Sequence, residues 1–151
     1  MNLGTIWEQL ALTLDESPTL SKYVQYVYHG RRYDIEADSL PCIMLEPVTD
    51  NEIIKEISTY KELEAGIEVY AFCSNNYAEF EKTIVGDQNY VGIVTMVNDI
   101  RAVLQSSNTL GNLVIDTIID EIYFDQIDFN KYPVRGALIP LRIKYRQLGG
   151  E

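Results

Sequence analysis

Few residues in this chain have the type and spacing to do chemistry. His29 is the only histidine, set in "VYHGRRY" before a glycine. Acid–base or nucleophilic catalysis needs a base beside a nucleophile in a pocket, so a Ser–His–Asp or Cys–His arrangement rests on His29 alone. The surrounding residues read instead as a partly exposed position before a glycine turn. The sequence has no P-loop, GxGxxG, HExxH or nucleophile elbow. Asp116, Asp120, Glu121, Asp125 and Asp128 form the one acidic series with metal-ligand character. On a strand Asp116 and Asp120 share a face, but acids alternating along an edge strand give the same pattern without a metal. Cys42 and Cys73 lie in the apolar runs "LPCIML" and "VYAFC". They read as buried thiols acting as small hydrophobes, with a disulfide or metal pair as the alternative. We therefore assign no catalytic residue, metal or cofactor from sequence.

One basic knot, "HGRRY", has Tyr26, Tyr28 and Tyr33 around it, the makings of a stacking-plus-cation surface for a single nucleic-acid strand. Charge argues against that use. The 151 residues carry 23 acids against 12 Lys and Arg, a net charge of −11, whereas a nucleic-acid binder gains most of its affinity from neutralising phosphates. The plainer reading is a loop with salt bridges to the adjoining "DIEAD". The charge is also segregated. Residues 34–68 hold ten acids against Lys55 and Lys61, while Lys131, Arg135, Arg142, Lys144 and Arg146 are five of the twelve basic residues. Such segregation suits complementary contacts between subunits, as does the generous count of eleven tyrosines.

The elements that must position these residues belong to one domain, 1–151, with apolar (46%) and charged (23%) fractions ordinary for a globular protein. No apolar run is long enough to span a membrane. "MNLGTIWEQLALTLDES" carries acids rather than a basic leader and reads as a first helix. Two cysteines make no disulfide framework, so a reducing cytoplasm is the expected compartment. Leu3, Trp7, Leu10 and Leu14, with Ile6 beside them, form its apolar stripe to about Glu16. Ser17-Pro18 reads as a new N-cap and first helical position. "LSKYVQYVY" comes next as a shorter helix or strand, then a polar loop. "PCIMLEPV" is a strand that Pro47 places at a sheet edge or ends early. A short strand near 53–60 and a longer one near 64–73 come after it, the latter with Ile67, Val69 and Ala71 alternating with Glu68, Tyr70 and Phe72. A helix over 52–64 is the alternative. Residues 74–88 form a long connection with a weak helical turn. Ile93, Val97, Ile100 and Leu104 then mark a clear helix, closed by Gly111.

Two long strands end the chain, near 113–125 and 136–147. In the second, Ala137, Ile139, Leu141, Ile143 and Tyr145 point one way and Leu138, Pro140, Arg142, Lys144 and Arg146 the other. Pro140 cannot donate to a ladder, so the strand should lack a partner there on one side. An antiparallel hairpin centred near Lys131 would set Asp116 against Arg146 and Asp120 against Arg142. The fold class is α+β, a mixed or antiparallel sheet of about four to five strands packed on two main helices.

The layout resembles the tail terminator (tail completion) proteins of long-tailed bacteriophages. It is carried by the helix "NLGTIWEQLALTL", the proline-opened strand "LPCIMLEPV", the strand "GIEVYAF", the helix "VGIVTMVNDIRAVL" and the closing strand "GALIPLRIKYRQ", in that order. The resemblance covers most of residues 1–147. It implies a non-enzymatic structural protein that forms a hexameric ring on the tail tube, ends tube polymerisation and presents the surface to which the head attaches. The implied partners are copies of itself, the tail tube protein and head–tail connector proteins. DNA passes through the lumen without specific binding, and no membrane is involved. The implied location is the host cytoplasm during assembly and then the virion tail. A head–tail connector (neck) or minor tail or baseplate role is the alternative, and a small metal-dependent enzyme using the acids of 116–128 a more distant one. Arg142, Lys144, Arg146, Asp116 and Asp120 are the candidate subunit-interface residues, inferred from charge and alternation. The 74–88 connection is a candidate arm toward a partner ring.

Overall fold

The computed structural model describes residues 2–57, 60–73, 82–87, 90–129 and 132–148. The expected first helix forms as α1 (Leu3–Asp15). The side chain of Asn2 caps it by accepting from Thr5 N at 3.0 Å, and Glu16 ends it. Ser17 caps the next segment through its Oγ, which accepts from Leu20 N. That segment is one 3-10 turn (Leu20–Lys22) leading into strand β1 (Tyr26–His29), so the ambiguous "LSKYVQYVY" divides into a short helical turn and the start of a strand. A polar loop connects to β2 (Cys42–Ile57), which turns back into β3 (Tyr60–Phe72). A single helical turn, α2 (Lys82–Val85), precedes the clear helix α3 (Ile93–Ser106). The chain ends in β4 (Asp116–Ile119), β5 (Tyr123–Phe129) and β6 (Tyr132–Leu148). Most of the connection expected over 74–88 falls outside the described residues.

The fold is α+β, as expected, with one more strand than the sequence suggested. Six strands make one mixed sheet in the order β1-β2-β3-β6-β4, and β5 also pairs with β6. β1 runs parallel to β2, and the other pairings are antiparallel. Several boundaries differ from expectation: the short strand expected near 53–60 is the far part of β2 and the start of β3 rather than a strand of its own. Pro47 does not end its strand: β2 continues ten residues past it. β1 covers β2 only over Cys42–Leu45, so Pro47 lies on an open edge, and register shifts beside it and on either side of Ile54 bend the strand rather than stop it. The expected strand 113–125 is in fact two segments. β4 and β5 are separated at 120–122, and β5 takes in the "QIDF" expected as connection.

The sheet buries both faces unequally. Its main face packs on α1 and α3. Ile6, Leu10 and Leu14 from α1 and Met96, Ile100 and Leu104 from α3 meet Ile67, Val69, Ile139, Leu141 and Ile143 in one cluster. The expected alternation of the last strand holds throughout, with Ala137 to Tyr145 at odd positions all buried. On the opposite face a smaller cluster gathers Ile35, Leu40, Cys42, Met44, Phe72, Phe129 and Val134 under the 31–40 loop. Phe72 meets Phe129 edge-on at 4.9 Å. Gly136 makes room for it, because a Cβ there would sit 2.7 Å from the Phe72 ring. Gly136→Ala is therefore expected to destabilise the protein by about 1–3 kcal/mol, the usual range for overpacking. Denaturant unfolding checks this, and an unchanged midpoint would remove the role given to the glycine.

Candidate functional site

The candidate residues all lie on or beside β6, a strand paired along both edges. Its even positions carry Arg142, Lys144 and Arg146 on the face away from the helices. Acids flank them in register. Glu62 lies opposite Arg146 and Glu64 opposite Lys144 across β3, while Asp116 lies opposite Lys144 across β4. The expected Asp116–Arg146 pairing is thus corrected. β5 sets Phe129 against Tyr132, and the break before it moves β4 further, so Asp116 meets Lys144 instead. The Asp116 carboxylate accepts from Asn108 Nδ2 (3.3 Å) and Thr117 N (2.9 Å).

The Asp120–Arg142 pairing does form, though diagonally rather than directly opposite. Arg142 Nε donates to Asp120 Oδ2 at 2.8 Å and its Nη2 to Oδ1 at 2.9 Å, the bidentate geometry of a guanidinium on a carboxylate. Glu64 lies 3.8 Å from the same guanidinium. The Arg142 hydrogen bonds hold the Asp120 carboxyl below its ordinary range and raise the arginine in turn. Both side chains remain about 40% exposed, so screening limits the pair to fixing register more than stability.

A second polar tie crosses the sheet on its other face. Tyr145, 1% exposed, donates to both Asp50 oxygens at 2.9 Å, reaching over β3 where it carries the small Ala65. Burial and then the adjoining carboxylate raise the phenol well above its usual value, so it stays a donor at any ordinary pH.

The remaining chemical candidates are occupied or inert. His29 accepts from Trp7 Nε1 at its Nδ1 (2.7 Å), which ties β1 to α1. Cys42 and Cys73 are free and lie in the two different clusters, on opposite faces of the sheet. Burial pushes their thiols up to about 12 and about 11, so neither is a thiolate nucleophile near neutrality. Glu121 accepts from Tyr123 Oη, and Asp125 from Gln126 N. The Asp128 side chain lies outside the described residues. Among the described residues no three acids, histidines or cysteines sit together at metal-ligand spacing.

Sequence reasoning missed what the basic knot does. Arg31 stacks on Tyr33 and Tyr70 (4.9 and 4.3 Å to the ring centroids) and Arg32 on Tyr28 (4.7 Å). These contacts pin the 31–40 loop over the smaller cluster, and among the described residues the expected salt bridges from Arg31 and Arg32 to "DIEAD" do not form. The signal was present in the interleaved tyrosines, but Tyr70 comes from β3, remote in sequence.

Two substitutions test this geometry. Asp120→Asn should lower Tm at pH 7. Because the folded carboxyl is held below its unfolded value, the pair's contribution is present above the carboxylate range and lost as pH falls through the folded value. The difference from wild type should therefore close near the acid end of a Tm-against-pH series, and a constant gap would refute the pairing. Tyr145→Phe should cost about 1.5 kcal/mol, a hydrogen bond to a charged acceptor, with the same midpoint shift seen by circular dichroism and by fluorescence.

No protein-family model matches this sequence, and no characterised protein matches it.

Proposed function

We propose that this chain is a structural protein of a bacteriophage tail, a tail terminator that assembles as a homomeric ring, a hexamer, on the tail tube. The ring ends tube polymerisation and offers the surface for head attachment. The reading rests first on the resemblance in element order. The observation that carries it further is the uncovered part of the sheet face beyond the smaller cluster. There three strands bring Glu62, Glu64, Asp116 and Asp120 together with Arg142, Lys144 and Arg146, interleaving both signs on half-exposed side chains. A surface of alternating sign suits head-to-tail contact between identical copies, where one patch meets a different one on its neighbour. The acidic balance fits a ring whose lumen DNA crosses without adhering, since like charge discourages phosphate binding.

The test is native mass spectrometry across concentration, with and without magnesium, and then with isolated tail tubes. A hexamer, free or on tubes and indifferent to magnesium, is expected. Lys144→Glu and Arg146→Glu should each weaken assembly, more so at low salt, with Tm confirming that each variant is folded. A chain monomeric both alone and with tubes would overturn the terminator reading. Binding to a portal-side ring in place of tubes would make it a neck protein.

A further inference from the structure

β1 stands at the end of the sheet, and only one of its edges is used. Gly30 N donates to Leu45 O at 2.6 Å, and Val27 and His29 lie in register with Ile43 and Leu45. A strand alternates the direction of its backbone groups every residue, so the N–H and C=O groups of Val27 and His29 point away from β2. Among the described residues nothing accepts from or donates to them. A cleft of roughly 440 Å³ runs along this edge. Its far wall is α1, through Glu8, Ala11, Leu12 and Asp15. Their spacing of three, four and seven places them on one stripe of the helix. Leu12 is 46% exposed, and Glu8 and Asp15 stand exposed on either side of it. The Trp7–His29 hydrogen bond closes one end by holding the helix to the strand.

An open strand edge beside a helix wall is the geometry in which an extended segment adds to a sheet. Backbone hydrogen bonds supply the attachment, and the flanking side chains supply the choice of partner. We propose that this cleft captures an extended segment of another protein by strand addition next to β1, with an apolar side chain against Ala11 and Leu12 and a Lys or Arg against Glu8 or Asp15. A second copy of this chain is the poorer occupant. Its other open strand edges carry Asp50 and Glu52 on β2 and Asp116 and Asp125 on β4 and β5, which would meet Glu8 and Asp15 as like charges. The cleft is complete within a single copy, so the inference stands apart from the ring reading and fails or holds independently of it.

The experiment uses the full chain, labelled with ¹⁵N, and three capped octapeptides of alternating valine and threonine. One carries two lysines, one carries two glutamates, and one is the lysine peptide N-methylated at alternate residues. The lysine peptide should shift the Val27 and His29 amide signals, protect them from hydrogen exchange and change the emission of Trp7, the only tryptophan. The glutamate peptide and the N-methylated peptide should not bind. Glu8→Lys with Asp15→Lys should weaken the lysine peptide at least about fivefold, the scale of an exposed ion pair. Val27→Pro removes one outward donor, a change an edge strand tolerates, and should weaken binding. Val27 also packs on the main cluster, so Tm falls, and binding is compared at a temperature where circular dichroism shows the variant folded. Equal binding of the N-methylated peptide would reduce the effect to charge attraction and overturn strand addition, as would no response to any peptide. Shifts at Val27 and His29 that grow with protein concentration alone would identify a second copy and overturn the proposed partner.

Discussion

Strand β6 is paired along both edges and buried on one face, and the donor missing at Pro140 organises much of what surrounds it. Pro140 O accepts from Asp120 N at 2.9 Å, so the Pro140 backbone faces the outer strand rather than β3. The reciprocal bond cannot form, because proline carries no N–H. The outer strand breaks at that point, between Ile119 and Tyr123. The break frees β4 to adopt its own register and leaves Asp120 at the end of β4, within diagonal reach of Arg142. On its other side β6 pairs with β3 without interruption from Tyr60–Leu148 to Phe72–Gly136. One intact ladder and one interrupted ladder on the same strand thus set the positions of the charged face.

The two faces of the sheet are held by different means. The main face is an ordinary apolar contact with two amphipathic helices, and its stability comes from buried area. Among the described residues the opposite face is covered only at one end, by a largely polar loop that buries Ile35 and Leu40 alone. Arginine–tyrosine stacking and the backbone contact of Arg31 N with Glu46 Oε2 (2.9 Å) hold that loop in place. Tyr70 serves both arrangements: its ring supports Arg31, and its hydroxyl donates to Glu68. The protein thus uses its arginines as flat apolar-compatible plates, a role lysine fills poorly.

Strand and helix periodicity made most of the architecture legible in the sequence. The stripe of α1, the stripe of α3 and the alternation in β3 and β6 each come from one-dimensional spacing, which the buried faces then obey. What the sequence left unreadable depends on pairing between distant segments. Bulges carry β2 through Pro47, and no local propensity distinguishes a bulge from a strand end. The split of β4 from β5 arises from a proline on a neighbouring strand about twenty residues away in the chain. The Asp120–Arg142 contact was legible as a charge match, whereas Asp116 was assigned the wrong partner because its register depends on that break. The Tyr145–Asp50 tie and the Arg31–Tyr70 stack join residues across a strand or between remote segments, so composition alone could not reveal either.

Charge arrangement constrains how such a protein can meet its partners. In the fold each cation of the β6 stripe stands beside an acid of its own chain, as the expected hairpin implied, though with Asp116 beside Lys144 rather than Arg146. Lys144 has acids in register on both sides, and Arg142 is held in a two-point grip. A stripe compensated in this way offers little net field to a polyanion, and Arg142 is already fixed in place. Its specificity toward any surface lies in the pattern of alternating sign rather than in total charge. The chain as a whole remains strongly negative, so copies repel at long range and attract only where the pattern matches at contact distance. Long-range repulsion with short-range complementarity makes association depend on correct register before it becomes favourable, which disfavours disordered aggregation of an acidic sheet with open edges.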